Sequence, residues 1–407
     1  MSGLTVGIVG VGSFGREFIP LFLNHPLVDR VAACDLDPCS LAVARDLGVI
    51  ETYETIGDLL SSDIQAIALF TQPWLHAPQA ISAMEKGKHV YSAVPVVELD
   101  SGDLMLEWCD HLIETCKRTG MRYMMGETSY YRPEAMYCRR LAVEGLFGDF
   151  VLAEGHYFHD IDDPGCSLRD VARRRWGADW SPARTGGIPM HYCTHSIGGL
   201  LSVLNAPLTE VSAIGYELQG DDYFRADTSS GNVYSNETAL FRCANGASVR
   251  IAEYRRIGHY GEELFELYGT RASFRHGVNG AYIVDRKGAR QVHTDEMRDP
   301  LSPEVLRAYR AGMPTRTDVY GGHGGSHAYL VDEFITAIVC GRQPVINAWT
   351  AARYFAPGVV AHQSAMRGGE LMKIPDWGDP PVEHTPAPDG YSPGTLQIAG
   401  QNFHHGD

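Results

Sequence analysis

A glycine-rich turn near the N-terminus constrains the fold of this chain more than any other feature. The strand-like run LTVGIVG leads into Gly10, Gly12 and Gly15, and apolar residues follow at helical spacing. In this order the first glycine allows a tight turn, the second lets the backbone approach a pyrophosphate, and the third lets helix and strand pack closely. The helix N-terminus offers free N–H groups to phosphates. We therefore expect Gly10, Gly12, Ser13, Phe14 and Gly15 to bind a dinucleotide.

An acidic residue at the end of the next strand-like run indicates which dinucleotide binds. Asp35 lies 20 residues after Gly15, where a carboxylate can accept hydrogen bonds from the adenosine ribose hydroxyls. Leu36 and Asp37 follow it, with no arginine beside them, so a 2′-phosphate would be repelled. NAD is the predicted cofactor, and a glycine-rich turn without a ligand is the alternative.

Strand-like and helical patterns alternate through the first third of the chain. The strand-like runs span 4–10, 31–35, 64–70, 88–94 and 122–127. This alternation predicts an α/β fold in which a doubly wound parallel sheet carries helices on both faces. We assign residues 1–127 to a Rossmann domain that binds NAD.

Longer alternating runs after residue 127 predict a second domain. These runs span 150–159, 210–218, 237–243, 247–256 and 263–269, with Asn245-Gly246 as a hairpin signal between two of them. A helical pattern follows at about 326–341. We expect residues 128–376 to form an α+β domain with a large, mostly antiparallel sheet that binds substrate and contributes to catalysis. Residues 377–407 are predicted to form a tail rich in proline and glycine.

The charge of the chain argues against polyanionic partners. With 34 basic and 50 acidic side chains, the formal charge is −16, so neither nucleic acid nor an anionic membrane is an expected partner. No apolar run approaches the roughly 20 residues that span a bilayer, and no secretory signal is recognised at the N-terminus. The nine cysteines are scattered and form no CxxC motif, which favours reduced thiols in a cytoplasmic protein.

The segment FTQPWLHAPQAISAMEKGKHVYSAVP resembles the Gfo/Idh/MocA family of sugar and cyclitol oxidoreductases. Thr71, Pro73 and His76 match the T-x-P…H-A segment that borders the nicotinamide in that family, and residues 87–90 match its G-K-H-V. The resemblance extends over most of the chain. It implies a Rossmann domain joined to a sheet domain, with Thr71, Pro73 and His76 at the cofactor.

The chain departs from this family where the family usually has E-K-P. Here the residues are Ala93, Val94 and Pro95, so the lysine that stands beside the reacting hydroxyl in the family is replaced by Val94. The resemblance still implies Val94 and Pro95 at the cofactor. Segments 124–160 and 356–376 resemble the branch of NAD-dependent glycosidases, including α-N-acetylgalactosaminidases, which also lacks the lysine. That branch is thought to oxidise a sugar hydroxyl, eliminate the glycosidic substituent, add water and return the hydride.

Two histidines four residues apart are the main candidates for proton transfer. His195 matches the histidine of the family's D-x-x-x-H segment, and His191 stands at the aspartate position. If the segment is helical, both imidazoles lie on one face. A hydride leaves a carbon only when the attached hydroxyl loses its proton, so a base must lie within hydrogen-bond reach. We predict His195 as this base, with His191 orienting the sugar or sharing the proton in a coupled titration.

Two other interpretations of this pair stay open. H-x-x-x-H is half of a zinc-protease signature, but Tyr192 rather than a glutamate follows His191. Glu154, His156 or Asp160 could add ligands, although nothing local requires a metal. The histidines could also be structural, satisfied by backbone and water. We predict proton transfer and no metal site.

Further polar and aromatic residues are predicted near the substrate. Glu127 ends the fifth strand-like run, at the edge where such sheets bind ligands, and we predict Glu127 and Tyr131 as additional catalytic residues. Interdomain packing is the alternative for this cluster, and a solvated basic turn is the alternative to sugar contact for residues 173–176. The predicted substrate-binding residues are Tyr130, Arg132, His159, Asp160, Tyr192 and His323.

These features predict an enzyme that acts on a small carbohydrate. We expect NAD-dependent hydride transfer to or from a secondary hydroxyl of a sugar, glycoside or cyclitol. A redox-neutral, NAD-dependent glycosidase or lyase is the alternative, and a non-catalytic sugar or NAD sensor is a second one. Exposed faces of such antiparallel sheets often pair, so a homo-oligomer is expected by analogy.

Overall fold

The first part of the chain forms a six-stranded parallel sheet. The computed structural model describes residues 3–165, 167–184 and 187–381. The strands are β1 (Leu4–Val9), β2 (Val28–Cys34), β3 (Glu51–Tyr53), β4 (Ala66–Leu69), β5 (His89–Ser92) and β6 (Tyr123–Met125). Their order is β3-β2-β1-β4-β5-β6. The direction of winding reverses between β1 and β4, which opens a ligand crevice at the carboxyl ends of these strands.

The sequence explains this sheet through burial. Central strands such as β4 are buried along their whole length, as their uninterrupted apolar sequence AIAL requires in a parallel sheet covered by helices. The connecting helices are α1 (Gly15–Leu23), α2 (Pro38–Asp46), α3 (Ile56–Leu60), α4 (His76–Glu85) and α5 (Gly102–Thr119). On α1, Phe18 and Phe22 are completely buried, so this helix packs firmly behind the glycine-rich turn.

The second part of the chain forms a nine-stranded mixed sheet. Its strands are β7 (Phe150–Phe158), β8 (Leu208–Glu217), β9 (Tyr234–Cys243), β10 (Ser248–Tyr254), β11 (Glu262–Gly269), β12 (Ala272–Gly277), β13 (Gly280–Asp285), β14 (Gly288–Val292) and β15 (Met372–Lys373). The order is β14-β13-β12-β11-β7-β10-β9-β8-β15. Only β7 and β10 pair in parallel within this described sheet.

Seven helices accompany the second sheet, and two of them, α8 and α12, pack directly on its strands. The helices are α6 (Pro133–Val143), α7 (Leu168–Trp176), α8 (Thr194–Leu204), α9 (Thr294–Met297), α10 (Pro303–Gly312), α11 (Gly322–Val339) and α12 (Ala348–Met366) in the described ranges. Gly155 on β7 allows α8 to approach closely, because a Cβ at this position would lie only 2.4 Å from the carbonyl oxygen of Ser196. The start of α8 is therefore pressed onto the sheet.

The predicted fold class is confirmed, with differences at short strands. Strand β3 has only three half-buried residues, and β14 is almost entirely exposed, so neither carries the apolar pattern that identifies a strand. The domain boundaries stay predictions. Of the predicted tail, residues 382–407 lie outside the described residues. The part before them is attached, because the indole N–H of Trp377 donates to Asp110 on α5 and Arg353 on α12 pairs with Asp379 at 2.8 Å.

Two further features concern the described helices and cysteines. None of the described helices combines the length and apolar character needed to cross a membrane. The eight described cysteines are free thiols, and Cys166 lies outside the described residues.

Candidate active site

The glycine-rich turn has the geometry that a dinucleotide requires. Gly10 has a φ of 90°, and a Cβ on Gly15 would lie 2.0 Å from the carbonyl oxygen of Gly10, so both positions need glycine. Within the described part of the chain, the N–H groups of Gly12, Ser13 and Phe14 donate to no protein acceptor. Gly12 and Ser13 are exposed. The turn thus presents unpaired N–H groups that fit phosphate oxygens.

Asp35 stands beside this turn, as predicted from its spacing. One carboxylate oxygen accepts the N–H of Val11 at 2.7 Å, and the other accepts the N–H of Asp37 at 2.9 Å. Asp37 itself caps α2. No arginine stands next to Asp35 in the sequence, but Arg16 lies near the turn and donates from Nε to the carbonyl oxygen of Gly12 at 3.2 Å.

Three of the other predicted cofactor residues are tied together at the ends of β4 and β5. The Nε2 of His76 lies 3.0 Å from the carbonyl oxygen of Thr71, and its Nδ1 lies 2.9 Å from that of Pro95. Burial lowers the pKa of His76 to about 4, so the ring is neutral and its single N–H bonds to one carbonyl at a time. His76 is itself buried, so its observed contacts fix the backbone of the two loops.

The remaining cofactor candidates are Pro73, which precedes a stacked tryptophan, and Val94. Pro73 is buried at the start of a short 3₁₀ helix, and Val94 is half-buried. Trp74 of the same 3₁₀ helix stacks on Trp176 of α7, with ring centroids 3.9 Å apart. The guanidinium of Arg184 lies 3.9 Å above the Trp176 ring. This stack joins α7 to the nucleotide-binding part of the chain.

His195 and Glu127 form a buried pair where the two sheets meet. Glu127 follows β6 and is fully buried, and His195 lies in the first turn of α8 with a 9 % exposed side chain. The Nδ1 of His195 lies 3.1 Å from Oε1 of Glu127, which also accepts the N–H of Ser129 at 2.8 Å. The carboxylate therefore orients the ring and leaves Nε2 of His195 for another partner.

The protonation state of this pair follows from its surroundings. Burial lowers the pKa of His195, but the carboxylates of Glu127 and Glu263 outweigh burial and raise it to about 9. Burial raises the pKa of Glu127, but the imidazolium and its hydrogen bond outweigh burial and hold that pKa well below its usual range. At neutral pH the pair is therefore imidazolium and carboxylate. In this state His195 can donate a proton, and it can act as the predicted base only after it has lost that proton.

Glu263 is a site residue that the sequence reasoning missed. Its Oε2 lies 4.0 Å from Nδ1 of His195 and 2.7 Å from a guanidinium nitrogen of Arg132. Glu263 falls on the same side of β11 as the buried Phe265 and Leu267. A carboxylate at an inward-facing position of an alternating strand was the available signal, because such a group needs a charged partner or a ligand.

His191 does not share the surroundings of His195. Residues 189–192 form a 3₁₀ helix and α8 begins only at Thr194, so the prediction of one helical face carrying both rings is wrong. The ring of His191 packs edge-on against His362 at 5.4 Å. Burial holds the pKa of His191 well below its usual value, so this ring is neutral. The predicted coupling is also wrong, since His195 is coupled to Glu127 instead.

Two tyrosines and an arginine flank His195. The rings of Tyr157 and Tyr192 lie 5.3 Å and 5.7 Å from the His195 ring. Arg175 donates to the hydroxyl oxygen of Tyr192 at 2.8 Å, so one member of the basic run 173–176 reaches the site instead of extending into solvent. The Tyr157 hydroxyl lies 2.6 Å from Nδ1 of His159, which brings His159 into the same cluster.

The other predicted residues at this junction serve mainly as supports. Tyr131 stacks on Tyr329 of α11 at 5.8 Å, and Tyr130 lies under the guanidinium of Arg139. Asp160 accepts the backbone N–H groups of Asp162 and Ile257, so its carboxylate holds a loop. Both tyrosine contacts lie within the predicted second domain, so they are packing contacts inside that domain, and the predicted roles of Tyr130 and Tyr131 stay predictions. No group of three or more metal-ligating side chains occurs in the described ranges.

Comparison with known proteins places these features in one family. Residues 4–127 match the GFO_IDH_MocA oxidoreductase family with its NAD-binding Rossmann fold, and residues 136–275 match the GFO/IDH/MocA C-terminal domain. The chain belongs to the Gfo/Idh/MocA family. The predicted resemblance and the prediction of an NAD-dependent oxidoreductase are thereby confirmed, and NAD is the cofactor.

Curated relatives and solved structures of similar fold match nearly the whole chain. "Glycosyl hydrolase family 109" proteins of Shewanella sp. (strain W3-18-1) and Shewanella woodyi are 25% and 27% identical, over 94% and 93% of this chain and 87% and 85% of theirs. Scyllo-inositol dehydrogenase from Lactobacillus casei, solved with NAD(H) and scyllo-inositol, has a TM-score of 0.66 at 17% identity, covering 91% of this chain and 99% of that one. Levoglucosan dehydrogenase with NADH and levoglucosan has a TM-score of 0.70 at 19% identity, covering 92% and 99%.

Replacing Asp35 with asparagine is expected to weaken NAD binding in this Gfo/Idh/MocA protein by about tenfold, because a charged acceptor for the ribose hydroxyls is lost. Binding of NADP should weaken less or improve, since repulsion of the 2′-phosphate falls. Titration of the protein with each dinucleotide, followed by intrinsic fluorescence, measures the dissociation constants of NAD and NADP. Asp37→Asn, which alters the neighbouring helix cap, is the control. An unchanged NAD constant in Asp35→Asn would remove Asp35 from the ribose site.

Proposed function

We propose that this protein transfers a hydride between NAD and a secondary carbinol of a sugar, glycoside or cyclitol, with His195 carrying the hydroxyl proton. The observation that supports this most is the buried pair of His195 and Glu127 at the carboxyl end of β6. Ligands bind at this edge in doubly wound sheets. A histidine held by a buried carboxylate is the arrangement that positions an imidazole for proton transfer.

Glu127 acts on the reaction through His195. Because Nδ1 of His195 donates to the carboxylate, the proton exchanged with a substrate oxygen is on Nε2. The imidazolium present at neutral pH can donate this proton to an alkoxide, which assists reduction of a carbonyl. For oxidation of a carbinol, His195 must first lose the proton, so that Nε2 can accept the one from the substrate hydroxyl.

Residues around the crevice would hold the cofactor. We assign its phosphates to the N–H groups of Gly12, Ser13 and Phe14 and its adenosine ribose to Asp35, which fit by their unpaired donors and their free carboxylate lone pairs. The loops that carry Thr71, Pro73, Val94 and Pro95 would border the nicotinamide. When bound, NAD supplies the acceptor or donor of the hydride.

The substrate contacts are assigned to the residues that flank His195. Tyr192 and Arg175 offer a hydroxyl and a guanidinium, and His159 and Arg132 are linked to the cluster through Tyr157 and Glu263. Such a mixture of aromatic faces and hydrogen-bonding groups fits a polyhydroxylated ring. The dehydrogenases of similar fold were solved with scyllo-inositol and levoglucosan, which are molecules of this class.

A redox-neutral glycosidase is the second candidate, and two observations favour it. Val94 replaces the family lysine beside the reacting hydroxyl, and Val94 cannot exchange a proton. The similar curated proteins carry the name glycosyl hydrolase family 109. In such a cycle the hydride would return to the sugar after the glycosidic substituent has left, and His195 would serve the same hydroxyl proton in both redox steps.

One experiment tests both candidates. The purified protein is incubated with a panel of cyclitols, sugars and aryl glycosides while reduced cofactor and released aglycone are recorded together, with His195→Asn as the matched control. Steady formation of reduced cofactor supports the oxidoreductase. Release of aglycone without net reduction supports the glycosidase. Binding of sugar without either signal would contradict both and leave the sensor.

We also propose that the protein is a cytoplasmic homo-oligomer that pairs through the outer face of its second sheet. Ile214 and Tyr216 on β8 and Leu240 on β9 point away from the buried face and are 73%, 54% and 56% exposed. Adjacent exposed apolar side chains on an open sheet are typical of a protein interface. The free thiols support a reducing compartment.

Introducing charge on this face is expected to dissociate the oligomer. Ile214→Glu combined with Leu240→Glu should lower the mass measured by light scattering to that of one chain, because carboxylates cannot be buried without partners. Val278→Glu, at an equally exposed position between β12 and β13, should leave the mass unchanged. A wild-type protein that is monomeric at micromolar concentration would contradict the proposal.

A further inference from the structure

A strained glycine-rich segment holds His323 against the cofactor turn. His323 has left-handed backbone angles (φ 51°, ψ 53°), which residues other than glycine and asparagine rarely adopt. Gly324 and Gly325, which follow it, also have positive φ. The ring of His323 meets Phe14 edge-on, with centroids 5.7 Å apart. His323 is exposed as a whole residue, but the side of its ring that contacts His327 is partly buried.

The buried His327 fixes the position of one ring proton. Its ring stacks on Phe18 at 4.4 Å and is fully buried. The backbone N–H of Gly322 points at Nδ1 of His327 from 3.2 Å. Because a backbone N–H can only donate, Nδ1 must accept and carries no proton. Burial lowers the pKa of His327 to about 3, so the ring is neutral and its single proton is on Nε2.

This proton determines the tautomer of His323 in turn. Nε2 of His327 lies 2.9 Å from Nδ1 of His323. Since Nε2 of His327 carries the proton, Nδ1 of His323 accepts a hydrogen bond from it and carries no proton itself. Burial and the positive charge of His195 both lower the pKa of His323, so this ring is neutral as well and its proton lies on Nε2. The result is a single tautomer whose remaining N–H points away from His327.

Charged groups connect His323 to the active-site cluster. Besides His195, the charges of Glu127, Glu263 and Arg132 affect the pKa of His323, so these groups lie within electrostatic range of its ring. On the far side, Glu17 lies 3.5 Å from Nδ1 of His327, and Arg316 acts on His327 electrostatically. His323 thus contacts the cofactor turn through Phe14 and lies within electrostatic range of the proton-transfer pair.

We propose that His323 donates a hydrogen bond from Nε2 to an oxygen of a bound ligand, and that His327 is the positioning residue that fixes the donating tautomer. The acceptor is a hydroxyl oxygen of the carbohydrate or a ribose or phosphate oxygen of the cofactor. This inference rests on the proposed function for the carbohydrate and on NAD binding for the cofactor.

The tautomer is tested first, by long-range ¹H–¹⁵N correlation spectra of the full chain labelled at histidine. His323→Asn assigns the His323 signals by their loss, and the wild type is expected to show the proton on Nε2. His327→Phe keeps the stack on Phe18 but cannot donate, so His323 should then populate both tautomers. A proton on Nδ1 of His323 in the wild type, or a tautomer that His327→Phe leaves unchanged, would overturn the proposal.

The donor is tested by comparing His323→Gly with His323→Asn, because both residues tolerate left-handed backbone angles and only asparagine can donate from its side chain. The affinity of the glycine variant for the ligand is expected to be about fivefold to tenfold lower than that of the wild type, and the asparagine variant should recover most of this affinity. An increase in the NAD dissociation constant of His323→Gly assigns the acceptor to the cofactor. An increase confined to the KM of the carbohydrate assigns the acceptor to the substrate.

Equal binding of both ligands by His323→Gly and the wild type would overturn the donor role. The tautomer and NAD measurements need no turnover. A protein that proves inactive on every carbohydrate would therefore contradict the proposed function while leaving the role of His323 to be decided by those two measurements.

Discussion

His195→Asn is expected to lower turnover by about a thousandfold at saturating substrate, the range over which positioned acid–base groups contribute. Asparagine is close in size to part of the ring and can still reach Glu127, but it cannot exchange a proton. The NAD dissociation constant should stay within about twofold, since His195 lies beyond the turn and carboxylate that hold the dinucleotide. Stopped-flow kinetics and fluorescence titration measure the two quantities.

The control for this variant is His111→Asn, which changes an exposed histidine on α5. It should keep wild-type turnover and melting temperature. If His195→Asn retained more than about a tenth of wild-type turnover, the gain expected from a positioned acid or base would be absent. His195 would then be a structural histidine, and the proton would have to reach solvent by another group.

Glu127→Gln is expected to move the pH profile to lower pH. In the direction that oxidises a carbinol, kcat/KM should rise with pH as His195 loses its proton, with an inflection near the pKa of about 9. Without the Glu127 carboxylate, burial dominates and the pKa of His195 falls, so the inflection moves toward or below the ordinary histidine value of about 6.5. The plateau should fall about tenfold to a hundredfold, because the ring loses its charged anchor.

Glu263→Gln provides the matched comparison for this shift. Glu263 lies 4.0 Å from Nδ1 of His195, against 3.1 Å for Glu127, so its removal should move the inflection in the same direction by a smaller amount. Full pH profiles of kcat/KM for the three proteins check the order. An inflection that stays in place in Glu127→Gln would mean that the titrating group is not His195.

The nucleotide-binding half was predictable because its signals are local. The turn around Gly10 and Gly15 requires glycine for steric reasons within a few residues of sequence, and Asp35 follows at the distance that one βαβ unit imposes. Alternating apolar runs also identified the long central strands of the second sheet. Strand β14 was missed because an exposed edge strand does not need apolar residues.

The candidate site was only partly predictable because its contacts join distant segments. Glu127 and His195 are 68 positions apart, and their hydrogen bond depends on how the two sheets meet. The spacing of His191 and His195 suggested a shared helical face, yet the backbone changes from a 3₁₀ helix to an α-helix between them. No local pattern distinguishes these two outcomes for a segment that contains proline and several small residues.

The protonation state of His195 was unpredictable for a related reason. Its pKa depends on the balance between burial and two carboxylates that come from different elements. Glu263 could have been noticed from its inward-facing position on a predicted strand. The ion pair between Glu263 and Arg132, which neutralises part of the charge of Glu263, could be found only once the fold was known.

The stack of Trp74 on Trp176 affects how far α7 can move from the nucleotide-binding part of the chain before a ligand arrives. An aromatic pair contributes about 0.5–1.5 kcal/mol beyond the area it buries, and the guanidinium of Arg184 on the outer ring adds about 0.5–1 kcal/mol. Moving Trp176 away from Trp74 would break the stack but not the contact of Arg184 with Trp176, because Arg184 follows α7 in the same part of the chain. Separated conformations are therefore disfavoured roughly twofold to twelvefold by the loss of the stack. The stack thus lowers the cost of ordering α7 when a ligand binds, because α7 is already held against the nucleotide-binding part of the chain.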